Sequence, residues 1–273
     1  MRYAQLVIGP AGSGKSTYCN AIIEHAIDCK RTIDVVNLDP AAEHFEYEPI
    51  ADIRDLIHVN DTMEDEELHF GPNGGLIYCM EYLLENSDWL QEKLGDQEDD
   101  YFLIDCPGQI ELYTHLTTIK KLIKTLQSWN FNICSVFLLD VQFMIEGTKF
   151  LSGTMAALSV MVNLEVPHVN LLSKMDLLSK GDKKQLDRFL EPDCHAILGD
   201  IEFHSSRFNE KHSKLTEAIG RLIEDYSLVR FIPLNLKDVD NLNSVLITVD
   251  TALQYGEEQD IRTTDFDEGD VEK

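Results

Sequence analysis

Near the start of the chain, Gly9-Pro10-Ala11-Gly12-Ser13-Gly14-Lys15-Ser16 satisfies the spacing GxxxxGK[ST]. These residue types at that spacing bind an anion. The glycines let successive backbone N–H groups turn toward a phosphate without a Cβ clash. A helix starting at Lys15 adds the partial positive charge of its N-terminus. Lys15 would reach the β- and γ-phosphates of a nucleotide, and the Ser16 hydroxyl would bind Mg²⁺. Gly12, Ser13, Gly14, Lys15, Ser16 and Thr17 are therefore the candidate phosphate-binding residues of a P-loop.

Two further patterns follow in the order such a loop requires. Asp105-Cys106-Pro107-Gly108 is a DxxG at the end of an apolar run. A carboxylate there suits the Mg²⁺ shell, directly or through a water, and the glycine lets a backbone N–H approach the γ-phosphate. Gln109 comes next, where several nucleotide hydrolases keep the residue that orients the attacking water. Ser173-Lys174-Met175-Asp176 then reads as a guanine-recognising [NTS]KxD. Asp176 can accept hydrogen bonds from the N1–H and the exocyclic amine of guanine, whereas adenine would present it a lone pair. Sites built on such pairing discriminate by roughly 10⁴-fold. The Lys174 stem can lie along the base.

Together these patterns point to GTP and GDP with Mg²⁺, and to GTP hydrolysis. Asp39, at the end of another apolar run, is a further candidate, because α/β sheets bind ligands at the carboxyl ends of their strands; alternatively it only caps the turn before Pro40. An ATPase or a P-loop kinase is the rival enzyme reading. A kinase would lack the guanine reader and would need a clustered arginine lid, and the arginines here are dispersed. A rival of another class is an assembly or transport adaptor that binds GTP structurally with negligible turnover.

Elements of regular spacing must carry these residues. Tyr3–Ile8, Thr32–Leu38, Tyr101–Asp105, Asn132–Asp140, His168–Leu172 and Leu228–Pro233 read as strands. Helices are expected from Lys15 to about Cys29, over Ile50–Val59, behind the Gly71–Gly75 turn to about Leu94, through most of Gln109–Trp129, and over Thr148–Asn163, Lys211–Tyr226 and Val239–Tyr255. Thr62–Glu67 reads as an acidic loop. Met155, Leu158, Met161 and Val162 read as core. Strands alternating with helices imply βαβ units and a mostly parallel sheet covered on both faces. The fold class expected is α/β, a three-layer P-loop NTPase in one domain over residues 1–256. The acidic, aperiodic residues 257–273 read as a disordered tail.

Charge narrows the partners. The chain has 273 residues, 23 basic against 49 acidic, for a formal net charge of −26. Such a surface repels phosphate backbones and anionic lipid, so direct nucleic-acid or membrane binding is not expected. It serves either solubility or a basic partner. The cysteines Cys19, Cys29, Cys79, Cys106, Cys134 and Cys194 are scattered without a CxxC pair, which reads as reduced thiols in a cytosolic or nuclear compartment. No secretory leader, membrane span or lipidation signal is expected.

Four stretches carry a family resemblance. Asn37-Leu38-Asp39-Pro40-Ala41-Ala42-Glu43, Gly71–Tyr82 with its Gly71-Pro72-Asn73 start, Asp105–Leu112 reading DCPGQIEL, and Phe231-Ile232-Pro233-Leu234 together resemble the GPN-loop GTPases over residues 3–255. The resemblance implies a helical GPN-loop insertion at about residues 50–100. It also implies a homodimer, or a heterodimer with a paralogue, in which Asn73 of one protomer enters the partner's active site to stabilise phosphate or the attacking water. Asp39, Asp105 and Gln109 would organise Mg²⁺ and water, with Glu111 a weaker candidate. It further implies a link to RNA polymerase II subunits, their assembly and nuclear import, hence a cytoplasmic protein that shuttles to the nucleus.

Overall fold

The computed structural model describes residues 1–64, 70–97, 99–178 and 229–256, together with Leu186, Phe189, Leu190, Ala218 and Arg221. Seven strands form one sheet: β1 (Arg2–Ile8), β2 (Asp34–Asn37), β3 (Ala51–Asp52), β4 (Tyr101–Asp105), β5 (Phe131–Asp140), β6 (His168–Ser173) and β7 (Phe231–Pro233), in the order β3-β2-β4-β1-β5-β6-β7. Every pairing is parallel. The registers Val7↔Asp105, Asn37↔Asp105 and Asp140↔Ser173 bring the carboxyl ends of the central strands to one edge.

Alternate strand residues feed two cores, the period-two arrangement of a sheet buried on both faces. Tyr3, Val7, Val35, Leu103, Val136, Leu138 and Leu171 pack against α1 (Lys15–Asp28) and α8 (Val239–Leu253). Leu6, Ile8, Val36, Ile104, Phe137, Leu139 and Leu172 pack against α3 (Pro72–Glu85), α6 (Thr118–Ser128) and α7 (Gly147–Leu164). The result is a three-layer α/β fold of the P-loop NTPase kind. A polar tie joins the first of these helix layers to the sheet: Arg31 forks onto Asp250 at 2.6 and 3.0 Å, and the Tyr101 hydroxyl donates to Asp250 at 2.9 Å.

Several sequence expectations need correction. Ile50–Val59 is not a helix. Ala51 and Asp52 extend to pair with β2, and Asp52 then accepts from the Arg54 backbone N–H, which starts a single 3₁₀ turn. The helical spacing of Ile50, Ile53 and Ile57 loses to that edge pairing, so the segment at 50–100 adds a strand to the sheet as well as helices. Val59–Glu64 is a helix, α2, where the sequence reads as loop from Thr62; residues 65–69 lie outside the described residues. Thr62 is buried against α3, where a Cβ on Gly75 would meet its hydroxyl at 2.6 Å. The helix expected to reach Leu94 breaks at Asn86 into α3 and α4 (Ser87–Leu94), and Gln109–Trp129 divides into α5 (Glu111–Thr114) and α6.

On α7 the buried face is Phe150, Leu151, Thr154, Ala157, Val160 and Leu164. Met155 is half-buried and packs against the core, as expected, whereas Leu158 and Met161 are half-buried and Val162 exposed, against the expectation that they form core. The segment is apolar on nearly every side, so periodicity could not choose its face. The helix expected at Lys211–Tyr226 falls almost wholly outside the described residues, and the tail at 257–273 does so entirely. Among the described residues no helix is long and apolar enough to cross a membrane.

Candidate active site

The central strand β1 ends at Ile8 and the chain turns through the glycine loop into α1. Gly12 and Gly14 sit at φ 73° and 91°, backbone that a Cβ would strain. Lys15 is buried, and its Nζ donates to the carbonyls of Gly9 and Pro10 at 3.2 Å each. Burial lowers its pKa, while Asp105 and Asp39 pull it back up. The loop floors a cleft of about 760 Å³ lined by Gly12, Gly14, Lys15, Ser16, Thr17, Asp39, Asn73, Gln109, Glu111 and Lys174, among others. Ser13 is buried rather than lining it.

Beside the loop lies an acidic pair. Asp105, at the end of β4, is 1% exposed; burial raises its pKa, and the Ser16 hydroxyl, Tyr47 and Lys15 oppose that shift. The Tyr47 hydroxyl donates to Asp105 Oδ2 at 2.7 Å, while Oδ1 is buried with no hydrogen-bond partner. Asp39 accepts from the Ala41 N–H at 3.0 Å, and its own N–H donates to Asn37 Oδ1 at 3.0 Å. Its pKa too is raised by burial and held down by the Ala41 N–H, Lys15 and Arg54.

An orphaned buried carboxylate oxygen beside a P-loop serine fits a hard divalent cation. Among the described residues no group of three or more His, Cys, Asp or Glu could hold a metal. Mg²⁺ needs no such group, since it is held by one or two protein oxygens together with substrate phosphates and waters. Ser16 and Asp105 are the residues that would hold it.

Gly108 packs against the loop itself: a Cβ there would come 2.7 Å from Ala11 Cα. This contact sets the position of Gln109, which lines the cleft with its Oε1 buried and unpartnered. The Tyr113 hydroxyl donates to the Pro107 carbonyl and ties α5 to the same turn. Asn73 sits in the first turn of α3, where Gly71 caps and Pro72 starts the helix. Within a single chain it already borders the cleft.

The residues expected to read guanine are divided by the backbone. Ser173 is buried and its hydroxyl donates to the Leu139 carbonyl at 3.2 Å, so it holds β6 to β5 rather than facing a ligand. Lys174, at φ 60°, reaches the phosphate cleft and pairs with Asp140 at 2.9 Å. Asp176 lines a separate cavity of about 500 Å³ with Met175, Leu186, Pro233, Asn235 and Lys237. Sequence reasoning missed Asn235, Lys237 and Tyr47; each is brought in by a loop with no periodic or motif signal.

A parallel sheet whose central strand enters GxxxxGKS and a helix, with an acidic strand end beside the serine, defines a P-loop nucleotide-binding protein. Comparison narrows the class. Residues 7–255 match a family model described as a conserved hypothetical ATP binding protein. The chain is 57% identical over 263 residues to GPN-loop GTPase 3 of Danio rerio, covering 96% of this chain and 91% of that protein. It is 57% identical over 262 residues to GPN-loop GTPase 3 of Xenopus tropicalis, with the same coverage, and 47% identical over 275 residues to that of Saccharomyces cerevisiae, covering 100% and 99%. The chain belongs to the GPN-loop GTPase family. A GTPase in apo form from Pyrococcus abyssi, 22% identical, superposes with a TM-score of 0.73 over 92% of this chain and 97% of its own, so the two share a fold.

Proposed function

We propose that this chain binds GTP with Mg²⁺ and hydrolyses its terminal phosphate, cycling as a dimeric switch. The observation that carries the reading is the single cleft in which the P-loop, Asp39, Asn73, Gln109, Glu111 and Lys174 meet. The loop N–H groups and Lys15 would hold the phosphates, and Ser16 and Asp105 would hold the ion, which would supply charge neutralisation for phosphoryl transfer. Gln109 offers an amide to orient water and Asp39 a carboxylate beside it. Lys174 borders that cleft and Asp176 a second cavity, and the base would lie between them. The matching family model is described by ATP and the relatives are named for GTP; the carboxylate of Asp176 favours guanine.

The dimer, the client and the location rest on the resemblance. The chain pairs with itself or a paralogue, assists RNA polymerase II subunits in assembly and nuclear import, and shuttles from the cytoplasm. Competition binding of GTP and ATP followed by single-turnover hydrolysis tests the core reading. GTP preference with turnover supports it, equal affinity for ATP overturns it, and GTP binding without turnover leaves the adaptor role in its place.

Asn73 has its own test. It has two donors and an acceptor but no charge, so Asn73→Ala should spare GTP affinity and slow hydrolysis by about 10²–10³. Verified mixed dimers of Asn73→Ala and Lys15→Ala protomers place an intact Asn73 opposite an intact P-loop in one of two sites. Partial recovery in them supports action across the interface. Since Asn73 borders its own chain's cleft, no recovery would assign it to the site of its own protomer.

A further inference from the structure

We infer that Tyr47 is the positioning residue of the magnesium site: its hydroxyl, bonded to Asp105 Oδ2, fixes the carboxylate so that Oδ1 alone is left for the ion or an ion-bound water. This rests on the magnesium reading above. Asp105 is buried, and a buried carboxylate without partners turns or takes a proton. Tyr47 supplies one hydrogen bond at 2.7 Å, with the Ser16 hydroxyl beside both groups. The result is an asymmetric carboxylate, one oxygen paired and the other orphaned in a buried site.

Tyr47 is itself held tightly. It is 6% exposed and packs in the core shared with Tyr18 and Cys19 of α1. Its ring stacks on Phe45 at 4.6 Å and 5°. Arg54 lies over Phe45 at 4.7 Å, donates to the Ala42 carbonyl at 2.9 Å and forks onto Asp52. The segment that carries Asp39 therefore also carries the hydrogen bond that orients Asp105, which links its conformation to metal binding.

Tyr47→Phe removes the hydroxyl and keeps the stacked ring. Protein loaded with a fluorescent GDP analogue in EDTA is titrated with Mg²⁺ while nucleotide dissociation is followed. Loss of an outer partner of a ligating group typically weakens metal affinity about 10- to 100-fold. The half-effective Mg²⁺ concentration should rise by that factor, while the dissociation rate in EDTA stays within about twofold of wild type. An unchanged half-effective concentration overturns the inference. So does a lower one, which would mean that the hydroxyl competes with the ion. Equal loss of nucleotide with and without Mg²⁺ would reduce Tyr47 to packing and also overturn it. If the wild type itself shows no Mg²⁺ dependence, the magnesium reading fails first, and the experiment tells the two failures apart.

Discussion

Replacing Gly108 by alanine adds one methyl group at the tightest contact between the DxxG turn and the phosphate loop. The new Cβ would lie 2.7 Å from Ala11 Cα and 3.0 Å from both Ala11 N and Ala11 Cβ. Two of those three atoms are backbone and the third is fixed to it, so no side chain can rotate away. Either the turn after β4 or the loop after β1 must shift by several tenths of an ångström. Overpacking of this kind costs about 1–3 kcal/mol. At about 2–4 °C per kcal/mol for a chain of this size, thermal unfolding should fall by roughly 2–12 °C. The larger effect should be functional, because both shifted segments line the cleft. Nucleotide affinity should fall by roughly tenfold or more, the equivalent of losing about 1.4 kcal/mol at the loop. Differential scanning calorimetry and equilibrium binding of a fluorescent GDP analogue measure the two losses. A Gly108→Ala protein with wild-type melting and wild-type affinity would refute the claim that the contact fixes both loops.

Asp176→Asn should weaken GTP binding and move preference toward xanthine nucleotides, whose C2 carries an oxygen; competition binding measures the exchange. Gly75→Ala should destabilise the packing of α2 on α3 by about 1–3 kcal/mol, because the Thr62 hydroxyl would stand 2.6 Å from the new Cβ; chemical denaturation reads it. His168, which hydrogen-bonds Asn170 at 3.0 Å, has its pKa lowered by burial from 6.5 to about 4. The unfolded chain protonates it first, so the neutral His168 contributes stability that is present above pH 6.5 and lost as pH falls toward 4, on the order of 3 kcal/mol in full. His168→Gln should flatten that part of the stability profile, and an unchanged acid slope would refute the assignment.

The legible part of the site was the part written in contiguous residues at strand ends. GxxxxGKS, DCPGQ and SKMD each follow an apolar run, and the parallel sheet brings the ends of β1, β4 and β6 to one edge. What could not be read was set by tertiary competition. Ile50–Val59 has helical spacing, yet Ala51 and Asp52 pair with β2, where Asn37 Nδ2 and the Arg54 guanidinium both bond the Asp52 carboxylate. The face of α7 was hidden by a surplus of apolar residues. Ser173 reads as a ligand-facing residue by motif, but the register Asp140↔Ser173 turns its hydroxyl toward the Leu139 carbonyl. Tyr47 had no signal, since a phenol many residues from its carboxylate partner belongs to no short pattern.

These misses share a physical origin that bears on function. The loop after β1 is touched by the turn after β4 through Gly108 on Ala11. The segment after β2 is clamped to the start of the next element through Arg54 on Ala42 and Asp52, and it reaches the end of β4 through Tyr47 on Asp105. The groups proposed to meet the phosphate, the ion and the water thus stand on three segments joined by direct contacts. Tyr47 thus ties Asp105 to the segment after β2, and Gly108 seats the turn that precedes Gln109 against the P-loop. The residues that sequence motifs expose are those proposed to carry the chemistry, and those that only the fold reveals, Tyr47 and Arg54 among them, join the segments on which those residues stand.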